Sequence, residues 1–440
     1  MRQRFSNQNQ SSVDSAYRFG KFELHPADRI LRRAGRAVSI QPRAFDALHC
    51  LVRRAQHLVT KQDLVDTLWP SVHVSEANLT NLIGALRKIV GRNTIRTVSK
   101  HGYRFELPVL GEPGVSRSAY EKFFRAKELT AQRSLQSMHT ACNLYWIALA
   151  EDPGFAPAWA WLGRCCWFLD KFTPGSRATA ELAQAAIERA FALNPDLAAA
   201  HQFYTSVEAD TGRARQSIFR LIERLGNHPD EPETFASLVQ VLRFRGLLRQ
   251  SIYAHERAVG LDPGIDTSVA HTNFLAADYP SAIESYNGRG AYYLDAAAWA
   301  VLGEKKRATA LLRERLRTMS LSKLMHALLG SLLAILQNKS DQAVRLMTAA
   351  DTTREPEILI YFARHYAHLG FAAAAVRILR QAAQAGFVCA PETLQFDAWF
   401  ISLRKYRGFA ALLAESQSLV HEAESTFAAN LPKSVRWPVH

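Results

Sequence analysis

The stretch SEANLTNLIGALRKIV, residues 75–90, decides how the first part of this chain folds. Ser75 can cap a helix, and behind it apolar residues recur three and four apart. At 100° per residue, Leu79, Leu82, Ile83, Leu86 and Val90 share one side. The other side carries Ala77, Asn78, Thr80, Asn81, Gly84, Ala85, Arg87 and Lys88, and it has no acidic residue after Glu76. Amides can pair with adenine edges, small residues permit close approach, and cations neutralise phosphates. The pattern predicts a helix with one face in a core and the other suited to the major groove of a duplex.

The segments on either side extend this reading. Upstream, Tyr17–Leu24, Ile30–Arg33 and Ala37–Ile40 read as a small antiparallel sheet, with a turn at Ala34-Gly35-Arg36. Pro42 opens a helix whose apolar face is Phe45, Leu48, Leu51 and Val52. Thr60 caps a second helix that runs through Leu64, Val65 and Leu68 to Trp69-Pro70. Downstream, TIRTVSKHGYRF (residues 94–105) alternates around a glycine-containing turn and reads as a hairpin. Lys100 or Arg96 on such a wing can lie along the backbone or the minor groove. Residues 1–110 hold 18 Lys/Arg against 8 Asp/Glu, whereas the other 330 residues hold 36 against 32. A basic first quarter on a near-neutral remainder points to a polyanion partner for the first part alone.

The order sheet, helix, helix, helix, hairpin resembles the OmpR/PhoB-type winged helix of CadC-like and HilA-like regulators. The resemblance rests on Phe19 to Leu24, Gln41 to Leu48, Leu64 to Pro70, Val74 to Lys88 and Ile95 to Phe105, and it covers about residues 17–108. It implies that the third helix reads the major groove and the wing touches the neighbouring minor groove. The DNA-contacting set it implies is Asn78, Thr80, Asn81, Ala85, Arg87, Lys88, Arg96, Thr97, Lys100, Tyr103 and Arg104. Gly84, Ala85 and Ser99 stand where relatives often carry arginine, which shifts base reading toward Asn78, Thr80 and Asn81. The resemblance also implies an activator, two copies paired on DNA, and RNA polymerase as a partner.

A second pattern occupies the rest of the chain. Pro153, Pro195, Pro229 and Pro263 are spaced 42, 34 and 34 apart. Twelve residues before each stands Ala141, Ala183, Ser217 or Ser251; five before stands Ala148, Ala190, Arg224 or Ala258. This period, with small residues at fixed places and proline at the helix stop, resembles tetratricopeptide repeats. Residues 170–177 look like a lengthened turn that accounts for the spacing of 42. Weaker traces follow at Gly303, Asn338 and Gly370, and the register is poor between Pro263 and Ala300.

The predicted fold class is therefore multidomain: an α+β winged helix-turn-helix followed by an all-α solenoid. Residues 1–16 form a polar, disordered tail, residues 17–110 the winged helix, 111–118 a linker, and 119–440 the repeats. The five cysteines show no ligand spacing, so neither zinc nor a disulfide framework is expected, and Cys165 and Cys166 read as small buried hydrophobes. No phosphate-binding loop, HExxH or nucleophile motif is present, so no enzyme activity and no cofactor are expected. The polar N-terminus and the lack of a membrane-length apolar run predict a cytoplasmic protein. Sixteen residues before the winged helix are too few for a receiver domain. The sensing part is then the repeat region, which would take a protein or small-molecule effector. The competing reading is an interaction scaffold whose winged helix contacts protein instead of DNA.

Overall fold

A computed structural model describes the chain except residues 1–15, 27–28, 70–75, 99–100, 110–116, 133, 173–176, 263–264, 287–291, 351–354, 434, 436 and 438–440. The polar tail, most of the linker, Ser75 and Lys100 lie outside the described residues. The backbone falls into two compact units. One comprises residues up to Phe124 with Ile147–Phe155, and the other Arg125–Trp146 with Ala156–His440.

In the first unit, β1 (Tyr17–Phe19), β2 (Phe22–His25), β3 (Ile30–Arg33) and β4 (Arg36–Val38) form an antiparallel meander. The sequence reads Tyr17–Leu24 as one strand, but Gly20 at φ 55° folds it into a hairpin with Phe19 opposite Phe22. Ala34 and Gly35, at φ 48° and 80°, form the next turn, where two left-handed residues suit the twist of paired strands.

Helix α1 (Pro42–Arg53) follows, then β5 (Leu58–Thr60) and α2 (Lys61–Leu68). Thr60 caps α2 as expected: its side chain accepts from Asp63 N, and Asp63 answers to Thr60 N in a capping box. Helix α3 (Glu76–Val90) leads through a 3-10 turn at Arg92–Thr94 into β6 (Ile95–Val98) and β7 (Gly102–Phe105). The second sheet has the order β5-β7-β6, so β7 is its central strand. Phe45, Leu48 and Leu51 of α1, Leu64 of α2, Ile83 and Leu86 of α3, and Phe105 of β7 are all buried in one core with Phe19 and Leu24. Burying an aliphatic or aromatic side chain is worth about 1.5–3 kcal/mol, so this core fixes the orientation of α3.

The second unit is helical throughout its described length. Its regular part is a series of helix pairs: Ala156–Phe172 with Arg177–Leu193, Ala198–Asp210 with Ala214–Asn227, and Pro232–Phe244 with Leu248–Leu261. Val269–Leu275 pairs with Tyr279–Glu284, Leu294–Val301 with Lys305–Thr318, Lys323–Leu336 with Ser340–Ala349, and Pro356–His368 with Ala372–Gln384. The small residues that mark the period are fully buried: Ala183, Ser217 and Ser251 at one position, Ala190 and Ala258 at the other. They let paired helices approach closely.

One turn recurs from pair to pair. Gly212, Gly246, Ala277, Gly303, Asn338 and Gly370 all have positive φ. The amide one residue later reaches back to the helix, as in Arg213 N to Glu208 O, Asp278 N to Asn273 O and Lys339 N to Ala334 O. This Schellman turn takes glycine most readily, with asparagine next. The stretch of poor register is explained by it. Ala277 carries the turn there, and the flanking helices Val269–Leu275 and Tyr279–Glu284 have only 7 and 6 residues.

Two other departures from a perfect repeat have physical reasons. The first pair has helices of 17 residues each, against 13 and 14 in the next, so most of the extra length is helix and not turn. Arg224, at a small-residue position, is buried and spans two partners: Nη2 donates to Glu231 Oε1 at 2.8 Å and Nη1 to Asp196 Oδ1 at 2.9 Å. Cys165 and Cys166 are buried, and the Cys166 thiol lies 3.6 Å from that of Cys142.

A buried histidine gives this unit a pH signature. His365 is fully buried, with Tyr293 Oη at 2.8 Å from Nε2 and Ser331 Oγ at 2.9 Å from Nδ1. Burial, then the nearby Arg364 and His368, hold its pKa well below the ordinary 6.5. The folded ring stays neutral while the unfolded ring takes a proton below 6.5, so its contribution to stability falls as pH drops through that value. The slope is up to ~1.4 kcal/mol per pH unit. Chemical denaturation of wild type and His365→Gln between pH 7.5 and 5 should show a flatter dependence in the variant.

Candidate nucleic-acid interface

The surface of α3 is built from spacing. Asn78, Asn81, Ala85 and Lys88 are exposed, and steps of three, four and three residues put them in one stripe along the helix. Thr80 is also exposed, and its Oγ1 donates back to Glu76 O at 3.0 Å, leaving its lone pairs available as acceptors. Gly84 lies beside this stripe, and a Cβ placed on it would meet nothing within 4 Å. Packing therefore does not require glycine there, although glycine inside a helix costs about 1 kcal/mol relative to alanine. Its effect is to lower the relief of the outer face beside Asn81.

The opposite side holds α3 in place. Leu79, Ile83, Leu86 and Val90 are buried in the core of this unit. At the N-terminal end, Lys61 Nζ of α2 donates to Glu76 Oε2 at 2.7 Å, which neutralises the one acidic group on the helix. At the other end, Arg87 Nε donates to Ile95 O at 2.8 Å and Nη2 to Thr97 Oγ1 at 2.9 Å. Burial lowers the Arg87 pKa from its ordinary value. Arg87 thus ties α3 to β6.

The wing cations are placed differently from the sequence expectation. Arg96 and Arg104 face each other across β6 and β7, and both reach Glu106 Oε1, at 3.3 and 2.8 Å. Arg104 and Tyr103 are buried, with Tyr103 in the hydrophobic core. The structure does not bring these two to the exposed face: they alternate across β7, Tyr103 into the core and Arg104 onto the other side, where it is held by Glu106. An alternating strand pattern alone does not distinguish a central strand from an edge strand. Thr97 is half-buried beside Arg87, and Lys100 lies outside the described residues.

Sequence reading missed three residues here: Lys61 and Glu106, which neutralise charge, and Arg92, exposed just beyond α3. Arg92 had a signal, since cations are favoured near helix C-termini. Lys61 pairs with a residue 15 away and Arg96 reaches Glu106 from the neighbouring strand, neither of which leaves a local motif, although Arg104 and Glu106 stand only two apart.

Residues 35–105 match the family model described as "Transcriptional regulatory protein, C terminal". Over 87 residues the chain is 36% identical to the transcriptional regulator HilA of Salmonella typhimurium, covering 19% of this chain and 16% of the relative. It is 28% identical over 99 residues to the transcriptional activator CadC of Escherichia coli, covering 21% and 19%. The chain thus spans less than a fifth of the length of these relatives. A structure of the DNA-binding domain of E. coli CadC aligns at 27% identity and TM-score 0.21, over 22% of this chain and 95% of that one. The first unit carries a domain of this regulatory family.

Proposed function

We propose that this chain is a sequence-specific regulator of transcription that binds double-stranded DNA through the exposed face of α3. The observation that carries this reading is the stripe Asn78, Asn81, Ala85 and Lys88 on a helix whose other face is locked into a core. Amides at that spacing can reach base edges, and Lys88 can reach a phosphate. The match of residues 35–105 to a transcription-regulator family supports it. The base-reading groups are Asn78, Thr80 and Asn81, with Ala85 allowing close approach. Arg87 acts by holding the helix at the correct angle to β6. Thr97 and Lys100 complete the surface on the wing side. Arg96, Tyr103 and Arg104 stay in the proposal as supports of the wing.

The resemblance to CadC-like and HilA-like regulators supports an activator that pairs two copies on DNA and contacts RNA polymerase. The helical unit is the part that receives a protein or small-molecule effector, and the site of action is cytoplasmic. No described helix is long and apolar enough to cross a membrane.

Two substitutions separate base reading from charge. Lys88→Ala should weaken binding to every duplex by a similar factor and lower the salt slope by about 1. Asn81→Ala should change which site is preferred, because each good amide–base pair discriminates by about 1–3 kcal/mol. Selection from a randomised duplex pool, with wild type and variant side by side, checks this; an unchanged preferred site refutes it.

A second reading has one observation in its favour. With Arg87 tied to β6, and Arg96 and Arg104 held on Glu106, the surface formed by α3 and the wing is poorer in free cations than the sequence suggests. A protein-contacting scaffold would fit such a face. It predicts no selection of any duplex from the same pool.

A further inference from the structure

The helical unit contains a partly open cavity of about 280 Å³. Its walls come from the first helices of successive pairs, among them Ala156–Phe172, Ala198–Asp210, Pro232–Phe244 and Pro356–His368. The volume sits near the lower end of the range of small-molecule sites.

The charges lining it do not balance. Three basic side chains, Arg164, Lys171 and Arg243, face four carboxylates, Asp210, Asp266, Glu355 and Glu357. Arg164 lies 3.5 Å from Asp266, and Arg243 Nε donates to Glu357 at 3.1 Å. Lys171 is left to serve two carboxylates, Glu355 at 2.5 Å and Asp210 at 3.5 Å. His271 does not make up the difference, since burial lowers its pKa.

The excess falls on Asp210. Only 9% of this residue is exposed. Its Oδ2 accepts from Trp167 Nε1 at 3.0 Å, and its Oδ1 has no hydrogen-bond partner among the described residues. A buried carboxylate oxygen without a donor is costly. The neighbouring Glu355 responds to the same crowding: burial, opposed by Lys171 and reinforced by Asp210, pushes its pKa up to about 7.

Next to this corner is a bank of aromatic rings. Phe168 and Tyr292 each stand 4.5 Å, centroid to centroid, from Phe172. All three rings line the cavity, as does Trp167.

We propose that this cavity binds a small organic cation: a protonated amine carried on a flat apolar body. The ammonium group donates to Asp210 Oδ1 and supplies the missing positive charge. The flat body lies against Phe168, Phe172 and Tyr292, where aromatic packing adds to its burial. An anionic ligand would add to the negative charge of this corner, and a neutral one would leave Asp210 Oδ1 without a charged donor. The proposal rests on the reading of the helical unit as the effector-receiving part, and it names the effector's chemistry.

The test is titration of the full chain, followed by calorimetry, with 2-phenylethylamine, 3-phenylpropionate and n-butylamine. The aryl amine should bind saturably, and the carboxylate and the aliphatic amine at least tenfold more weakly. Asp210→Asn should lose at least tenfold for 2-phenylethylamine. Because that change also removes a partner of Lys171, Phe168→Ala provides a second variant; it should weaken the aryl amine and leave n-butylamine unchanged. Equal binding of the carboxylate, retention of full affinity in Asp210→Asn, or no uptake of either amine overturns the proposal. Duplex retention measured on the same samples keeps the two readings apart. Lost amine binding with intact DNA binding sinks only the cavity proposal, and the converse sinks only the regulator.

Discussion

Gly102→Ala should unfold the first unit while leaving the helical unit folded. A Cβ on Gly102 would lie 2.0 Å from Val59 O, 2.7 Å from Thr60 Cα and 2.9 Å from Val59 C. All three are backbone atoms, so no side-chain rotation relieves the clash. β5 must move away from β7, which breaks the pairing of Thr60 with Gly102 and of Val59 with Tyr103. Thr60 also caps α2, so the displacement reaches the helix that holds Glu76. Overpacking a core commonly costs 1–3 kcal/mol, and a clash with rigid backbone lies at or above the top of that range, about 3 kcal/mol or more. Thermal melts of the full chain should lose one transition and keep the other, and duplex retention should disappear. A variant with both transitions intact would show that β5 and β7 are not packed as described.

The second large effect is expected from Asp397→Ala. Arg364 and Asp397 are both fully buried, with Nε donating to Oδ2 at 2.5 Å and Nη2 to Oδ1 at 3.2 Å. Asp397 also accepts from Trp399 N at 2.8 Å. The guanidinium carbon sits 4.5 Å from the ring centre of Phe274 and 5.2 Å from that of Trp399. Removing the carboxylate leaves a buried cation without its counter-charge, a change that costs about 3–5 kcal/mol. Adding Arg364→Met removes the stranded charge, so the double variant should be more stable than Asp397→Ala alone. Denaturant melts of the two variants check this. A single variant within about 1 kcal/mol of wild type would mean that the pair is solvated.

Much of this was legible in the sequence where the information is local. The bounds of α3 follow from a helix returning to one face every 3.6 residues, the cap at Thr60 from its residue type, and the small positions Ala183, Ser217 and Ser251 from their fixed distance before the repeat prolines. The direction of the wing side chains was not legible. Which strand is central depends on β5, more than 30 residues upstream, and in the completed sheet both faces of β7 are buried, Tyr103 on one and Arg104 on the other. Arg87 looked like a surface cation because its partners, Ile95 O and Thr97, lie beyond the end of the helix. The cavity was hidden for a similar reason. Lys171, Asp210 and Glu355 sit in three different helix pairs or their approaches, and no linear motif links them.

The central claim is that the outer face of α3 enters a duplex groove. A photo-crosslinking amino acid at position 85 of the full chain, irradiated with the duplex recovered by site selection, tests this directly. The account predicts a covalent protein–DNA adduct that is lost on competition with unlabelled duplex. It also predicts no adduct from the same probe placed at the exposed position 36, in β4. A correctly folded protein that forms no adduct from position 85 would contradict it.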